Sequence, residues 1–72
     1  MQVRKNFELT ERESEIVGLI CRGFSNKNMA ELLSISVKTI ESHRKHIYEK
    51  PGVNNTADLA TYAIQERLVT LG

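Results

Sequence analysis

Between Ser36 and Lys50 the chain gathers Lys38, Thr39, Glu41, Ser42, His43, Lys45, His46 and Glu49, a run of ammonium, hydroxyl, carboxylate and imidazole groups. Three kinds of chemistry use such groups: metal ligation, catalysis, and hydrogen bonding to a polar partner. His43 and His46 stand three apart, but no third ligand follows at a convincing spacing, so no metal is expected. Cys21 is the only cysteine. It can form neither an internal disulfide nor a cysteine-cluster zinc site, and reads as a small buried apolar residue. No activated nucleophile has a base beside it and no Gly-rich phosphate loop occurs, so neither an enzyme nor a cofactor is expected. Hydrogen bonding along a helix face remains.

The elements that must carry that face are helical. Thr10-Glu11-Arg12-Glu13 has the form of a capping box: the Thr10 hydroxyl can satisfy an orphan amide while the Glu13 carboxylate reaches back. The predicted first helix covers 10–22. Ile16, Val17 and Ile20 share one face with Phe24 beyond them, and Glu13 falls on the same side, where its capping role accounts for it. Gly23 ends the helix and Ser25 caps a second over 26–33, with Met29, Leu32 and Leu33 at a 3–4 spacing. After the short connection Ser34-Ile35-Ser36, Ser36 caps a third helix over 37–49, whose limit is Lys50 because a residue before proline avoids the helical region. Val37, Ile40, Ile47 and Tyr48 form its buried stripe. Lys38, Ser42, Lys45, His46 and Glu49 face outward, with Thr39 beside them and Glu41 nearer the boundary. A polar outer face is also what any amphipathic helix shows. Asn55 or Thr56 caps a fourth helix over 56–68, with Asp58 in the first turn, where an anion suits the helix dipole. Its apolar residues Ala57, Leu59, Ala60, Ala63, Ile64 and Leu68 spread too widely for one core contact, which leaves a flank for another subunit. Small alanines also fill such stripes without one.

No strand pattern competes, so the fold class is all-α, a compact four-helix bundle containing a helix-turn-helix. At 72 residues the chain is one domain at most, with little room for a deep catalytic pocket. Residues 1–8 read as a leader or linker stub and 9–72 as the domain. No apolar run approaches the roughly 20 residues that span a bilayer, and the basic start has no apolar stretch after it to make a secretory signal, so a cytoplasmic setting is expected. Net charge is only +1, but it is unevenly placed. Residues 22–50 carry six cations against three carboxylates, while each flank is net acidic by one. The middle of the chain is where a polyanion would be met.

The second and third helices, joined by about three residues, have the spacing of a helix-turn-helix, whose second member enters the major groove. The residues say more. Leu9-Thr10-Glu11-Arg12-Glu13 is followed by Glu15-Ile16-Val17, then Gly23-Phe24-Ser25-Asn26-Lys27 and Met29-Ala30, then Leu33-Ser34-Ile35-Ser36-Val37-Lys38-Thr39-Ile40-Glu41-Ser42-His43-Arg44 and Ile47. This pattern, over about residues 9–68, closely resembles the LuxR-type DNA-binding domain of bacterial transcriptional regulators, including NarL- and FixJ-like response regulators of two-component systems and GerE-like stand-alone regulators. One departure is visible: the family usually has Lys-Leu-Gly-Val where this chain reads Lys50-Pro51-Gly52-Val53. Proline offers less apolar surface than leucine and no backbone donor, so a loosened or shortened end to the third helix is expected.

The resemblance implies double-stranded DNA as the partner, with one half-site read by helix 37–49. Lys45 can donate to guanine O6 and N7, Ser42 to several base edges, and Glu41 can accept from cytosine N4, which makes these three the base-edge candidates. Lys38, Thr39 and His43 match family positions near the groove edge and are phosphate candidates. Ser25, Asn26 and Lys27 stand where a helix N-terminus suits a phosphate. The resemblance also implies a homodimer on DNA; Ile64 and Leu68, farthest round the stripe of the fourth helix from Leu59, are the expected contacts, and RNA polymerase is a further expected partner. A non-DNA helical adaptor docking through the fourth helix is the alternative, and a sigma-like polymerase domain is another.

Overall fold

The computed structural model describes residues 9–66. They form four helices and no strand: α1 (Glu11–Cys21), α2 (Asn26–Leu33), α3 (Val37–Ile47) and α4 (Thr56–Gln65). No helix among the described residues is long and apolar enough to cross a membrane.

Each helix starts where a side chain can cap it. The Glu13 amide donates to Thr10 Oγ1 at 3.0 Å and the Thr10 amide donates to Glu13 Oε1 at 3.1 Å, which completes the capping box. Ser25 Oγ accepts from the Asn28 amide, Ser36 Oγ from the Thr39 amide, and Asn55 Oδ1 from the Asp58 amide. Asp58 also accepts from the Asn54 amide, so the start of α4 is tied at two points.

Helices α1 and α2 end the same way. At α1 the Phe24 amide donates back to the Leu19 carbonyl and the Gly23 amide to the Ile20 carbonyl, a Schellman closure with Gly23 at φ 90°. At α2 the Ile35 amide donates to the Ala30 carbonyl and the Ser34 amide to the Glu31 carbonyl, but the left-handed residue is Ser34, at φ 60° and ψ 41°. The residue after each closure, Phe24 or Ile35, is partly buried against the core. The second closure forms the turn of the helix-turn-helix and fixes how α3 leaves α2.

The core is one cluster drawn from all four helices: Ile16, Val17, Ile20, Met29, Ala30, Ile40, Ile47, Leu59 and Ala63, with Val53 from the last loop. α1 lies at its centre, packed on α3 and α4, while α2 packs on α3. Fully burying a side chain of this size contributes roughly 1.5–3 kcal/mol, so a chain this short relies on these few residues. The apolar patterns needed correction at three places. Leu32 is 58% exposed and Val37 39% exposed: Leu32 lies in the last turn of α2 and Val37 is the first residue of α3, so each stands at a helix end rather than over its middle. Cys21 is only partly buried, at the last turn of α1, where burial pushes its thiol pKa up.

α3 ends at Ile47, two residues before the predicted end at 49, and Tyr48 closes it. The Val53 amide then donates to the Lys50 carbonyl at 3.1 Å across Pro51 and Gly52, with Gly52 at φ 88°. Proline second and a positive-φ glycine third are the residues a type II turn requires. Pro51 is exposed at that corner, where its ring sets φ and its missing amide hydrogen costs nothing. The helix is therefore shorter than expected, but the proline sits in a formed turn and does not loosen it.

Candidate nucleic-acid interface

With Ile40 and Ile47 buried and Val37 at the edge, the opposite face of α3 is turned to solvent by the helix period. Lys38, Glu41, Ser42 and Lys45 are all exposed. Arg44 is partly buried, its guanidinium 5.4 Å from the centre of the Tyr48 ring, so it lies along the flank. Thr39 is exposed, and its hydroxyl is 2.9 Å from Ser36 Oγ, which makes it part of the helix cap. Arg44, Lys45 and His46 occupy the last turn, where cations suit the dipole. The result is a helix end of positive charge with short and long hydrogen-bonding groups along one exposed line.

At the start of α2, Ser25 and Lys27 are exposed and Asn26 is partly so. Ser25 Oγ is engaged with the Asn28 amide. The amides of Asn26 and Lys27 belong to the first turn, which has no intrahelical acceptors. They and the Lys27 ammonium form an anion-seeking end on the helix that precedes α3 in the motif.

His43 and His46 were expected at the groove edge and on the outward face. Both turn toward α1. His43 Nδ1 lies 3.1 Å from Glu13 Oε2, and His46 Nδ1 lies 2.8 Å from Glu13 Oε1. Glu13 is only 7% exposed at its side chain, and a buried carboxylate needs donors. It finds three, because Oε1 also accepts from the Thr10 amide. Burial pushes the Glu13 pKa up, but the hydrogen bonds from His43, Thr10 and His46, with the charge of His46, outweigh it and hold the carboxyl below its ordinary value of 4.5. Capping is thus half of what Glu13 does; the other half joins α1 to α3. Each imidazole Nδ1 is engaged with its own carboxylate oxygen, and among the described residues no three His, Cys, Asp or Glu side chains are arranged to hold a metal ion.

The wide stripe of α4 divides. Leu59 and Ala63 are fully buried, Ala60 and Tyr62 partly so, while Ala57 is exposed and Ile64 is 40% exposed. Leu68 lies outside the described residues.

A three-residue turn, a capped second helix with an open polar face, and a supporting helix across its back define a helix-turn-helix domain of the kind that binds DNA. Comparison with known proteins agrees. Residues 8–63 match the family model for bacterial regulatory proteins of the luxR family. The chain is 44% identical over 61 residues to the oxygen regulatory protein NreC of Staphylococcus aureus, an alignment covering 85% of this chain and 28% of that protein. It also superposes on the crystal structure of the response regulator ChrA, from a heme-sensing two-component system, with a TM-score of 0.77 and 40% identity, over 94% of this chain and 33% of that one. The chain thus spans about a third or less of these relatives. It belongs to the luxR family of bacterial regulatory proteins and is a DNA-binding, transcription-regulating domain; the family is one of regulators, not enzymes.

Proposed function

We propose that this domain reads one half of a two-fold symmetric operator, with α3 in the major groove. The observation that carries this is the exposed line Lys38, Glu41, Ser42 and Lys45 on the helix that follows the turn at Ser34. Glu41, Ser42 and Lys45 meet base edges, which specify sequence. Lys38, Thr39 and His43, with Ser25, Asn26 and Lys27 at the start of α2, meet phosphates, which position the domain. NreC and ChrA are an oxygen regulatory protein and a response regulator, and we assign this domain the same kind of place, as the DNA-binding output of a two-component regulator.

One copy should bind weakly, because a single module of this size buries roughly 600–1,000 Å² on DNA. Two copies meet on the operator through α4, with the half-exposed Ile64 at the contact, the half-sites lying about one helical turn apart. Selection of bound sequences from random duplex DNA tests the whole reading at once, since a symmetric consensus is expected. Failure to enrich any sequence would count against groove reading. On matched and mismatched duplexes, Lys45→Ala should lose about 1–3 kcal/mol of discrimination at one base pair, while Lys27→Ala weakens all duplexes alike. A uniform loss for Lys45→Ala would make it a phosphate contact. Ile64→Glu should preserve half-site binding and abolish cooperativity on the full site, and cooperativity equal to wild type would remove α4 from the contact.

A further inference from the structure

We propose that Arg44, held on the ring of Tyr48, is a further DNA-contact residue: it takes a backbone phosphate at the flank of α3 that meets the start of α4, with Tyr48 as its positioning residue. This rests on the DNA-binding reading and adds to it two residues to which that reading gives no part.

The two flanks of α3 differ in what their donors have left to do. By the helix period His43 and Arg44 fall on opposite sides of the stripe formed by Ile40 and Ile47. On the first side, His43 and His46 are engaged with Glu13. On the second, the Arg44 guanidinium stands 5.4 Å from the centre of the Tyr48 ring and makes no hydrogen bond or ion pair with the described residues. Stacking occupies the flat face of a guanidinium and leaves the N–H fork in its plane unused.

The ring beneath it is itself fixed. Tyr48 is partly buried against the core, and its hydroxyl lies 3.3 Å from Oγ1 of Thr56, the first residue of α4. Arg44 is therefore held over a ring that is tied to α4, so less side-chain entropy is lost when it binds. A stacked arginine with an open fork is suited to a planar pair of oxygens on a phosphate or carboxylate. The carboxylates near it on the chain do not take it: Glu41, three residues before, and Glu49, beyond the helix end, are both exposed and unpaired with it. DNA supplies the other oxyanion. Arg44 adjoins Lys45 and stands one turn from Glu41, beside the exposed line assigned to the groove, and the anion at the edge of a groove is a backbone phosphate.

The test measures affinity over a salt series for a duplex recovered from the random-sequence selection and for a mixed-sequence duplex of equal length. Arg44→Ala should weaken both by the same factor, about tenfold, and make the salt dependence shallower by about 0.9 in log–log slope, the signature of one lost phosphate contact. Tyr48→Phe keeps the ring and should bind within about twofold of wild type. Tyr48→Leu should weaken binding about three- to fivefold, yet add nothing once Arg44 is already alanine. Replacing the phosphates of the recovered duplex one at a time by neutral methylphosphonate should reveal one position that weakens wild type and leaves Arg44→Ala unchanged. Circular dichroism and urea midpoints check the fold of each variant; Arg44→Gln, which keeps most of the stem, carries the test if Arg44→Ala proves unfolded. An Arg44→Ala protein with wild-type affinity and slope, a loss confined to the recovered duplex, or a Tyr48→Leu loss of equal size with and without Arg44 would each overturn this proposal and leave DNA binding standing. Absence of wild-type binding to either duplex at any salt concentration would overturn both.

Discussion

On one side of α3, Lys38, Glu41, Ser42 and Lys45 are exposed and make no hydrogen bond or ion pair with the described residues. At the edge of that face, His43 and His46 are held by Glu13 next to the fully buried Ile40 and Ile47. Both sides are polar in sequence, yet one belongs to the fold and the other to whatever meets the helix. The difference teaches that polarity alone does not mark a contact face. A polar residue whose donors and acceptors are satisfied inside holds the helix still, and an unsatisfied one is left for a partner.

The strongest way to break this division is to cut the helix from its support. Ile40→Ala removes a fully buried side chain and should cost about 2–5 kcal/mol of stability, read from urea unfolding, with DNA binding lost only as far as the domain unfolds. Glu13→Ala should follow at about 1–3 kcal/mol, because it leaves the Thr10 amide without its acceptor and removes the partner of two rings. On the open side, Lys45→Ala should change stability by no more than about 0.5 kcal/mol while altering base preference. A Lys45→Ala protein as unstable as Glu13→Ala would erase the distinction between the two sides.

Acid sharpens the comparison from the supported side alone. The Glu13 carboxyl is held below its ordinary value of 4.5 in the folded chain. Its contribution is therefore fully present above that value and is lost as pH falls through the lower, folded one. Urea midpoints should drop on acidification below pH 4.5, and Glu13→Gln should remove that part of the drop. Equal acid sensitivity in the two proteins would show that another carboxylate dominates.

Most of the fold could be read from single residues because local chemistry decides it. Thr10, Ser25 and Ser36 cap helices by their own hydroxyls, and Gly23 stops one by its own backbone, so neither needs tertiary information. What could not be read depends on packing between distant segments. His43 and His46 lie 30 and 33 residues from Glu13, and no local pattern joins them. A signal was nevertheless present: a carboxylate on the apolar side of α1 needs more than its own cap, and His43 flanks the buried stripe of α3. Leu32 and Val37 misled for the opposite reason, since an apolar type at the right period still needs a neighbour to cover it. The open face of α3 was legible in position, though the base each residue reads depends on the groove.

A small expected effect separates stability from recognition without touching either side of α3. Ser34 holds φ 60° in the turn between α2 and α3, whereas the equivalent turn after α1 has Gly23 at φ 90°. A left-handed conformation costs a residue with a Cβ roughly 1–2 kcal/mol, and glycine escapes it but loses more entropy on folding. The two terms oppose, so Ser34→Gly should stabilise by only about 0.5–1 kcal/mol, and Gly23→Ala should destabilise by about as much or more. A Cβ at Gly23 would meet nothing within 4 Å, so its cost is conformational and not steric. Neither change alters a group proposed to meet DNA. Thermal unfolding should therefore move in opposite directions for the two variants while duplex affinity, measured where both are folded, stays at the wild-type value. If Ser34→Gly weakens binding despite a higher melting temperature, the stiffness of that turn, and not only the support from Glu13, sets how α3 is presented.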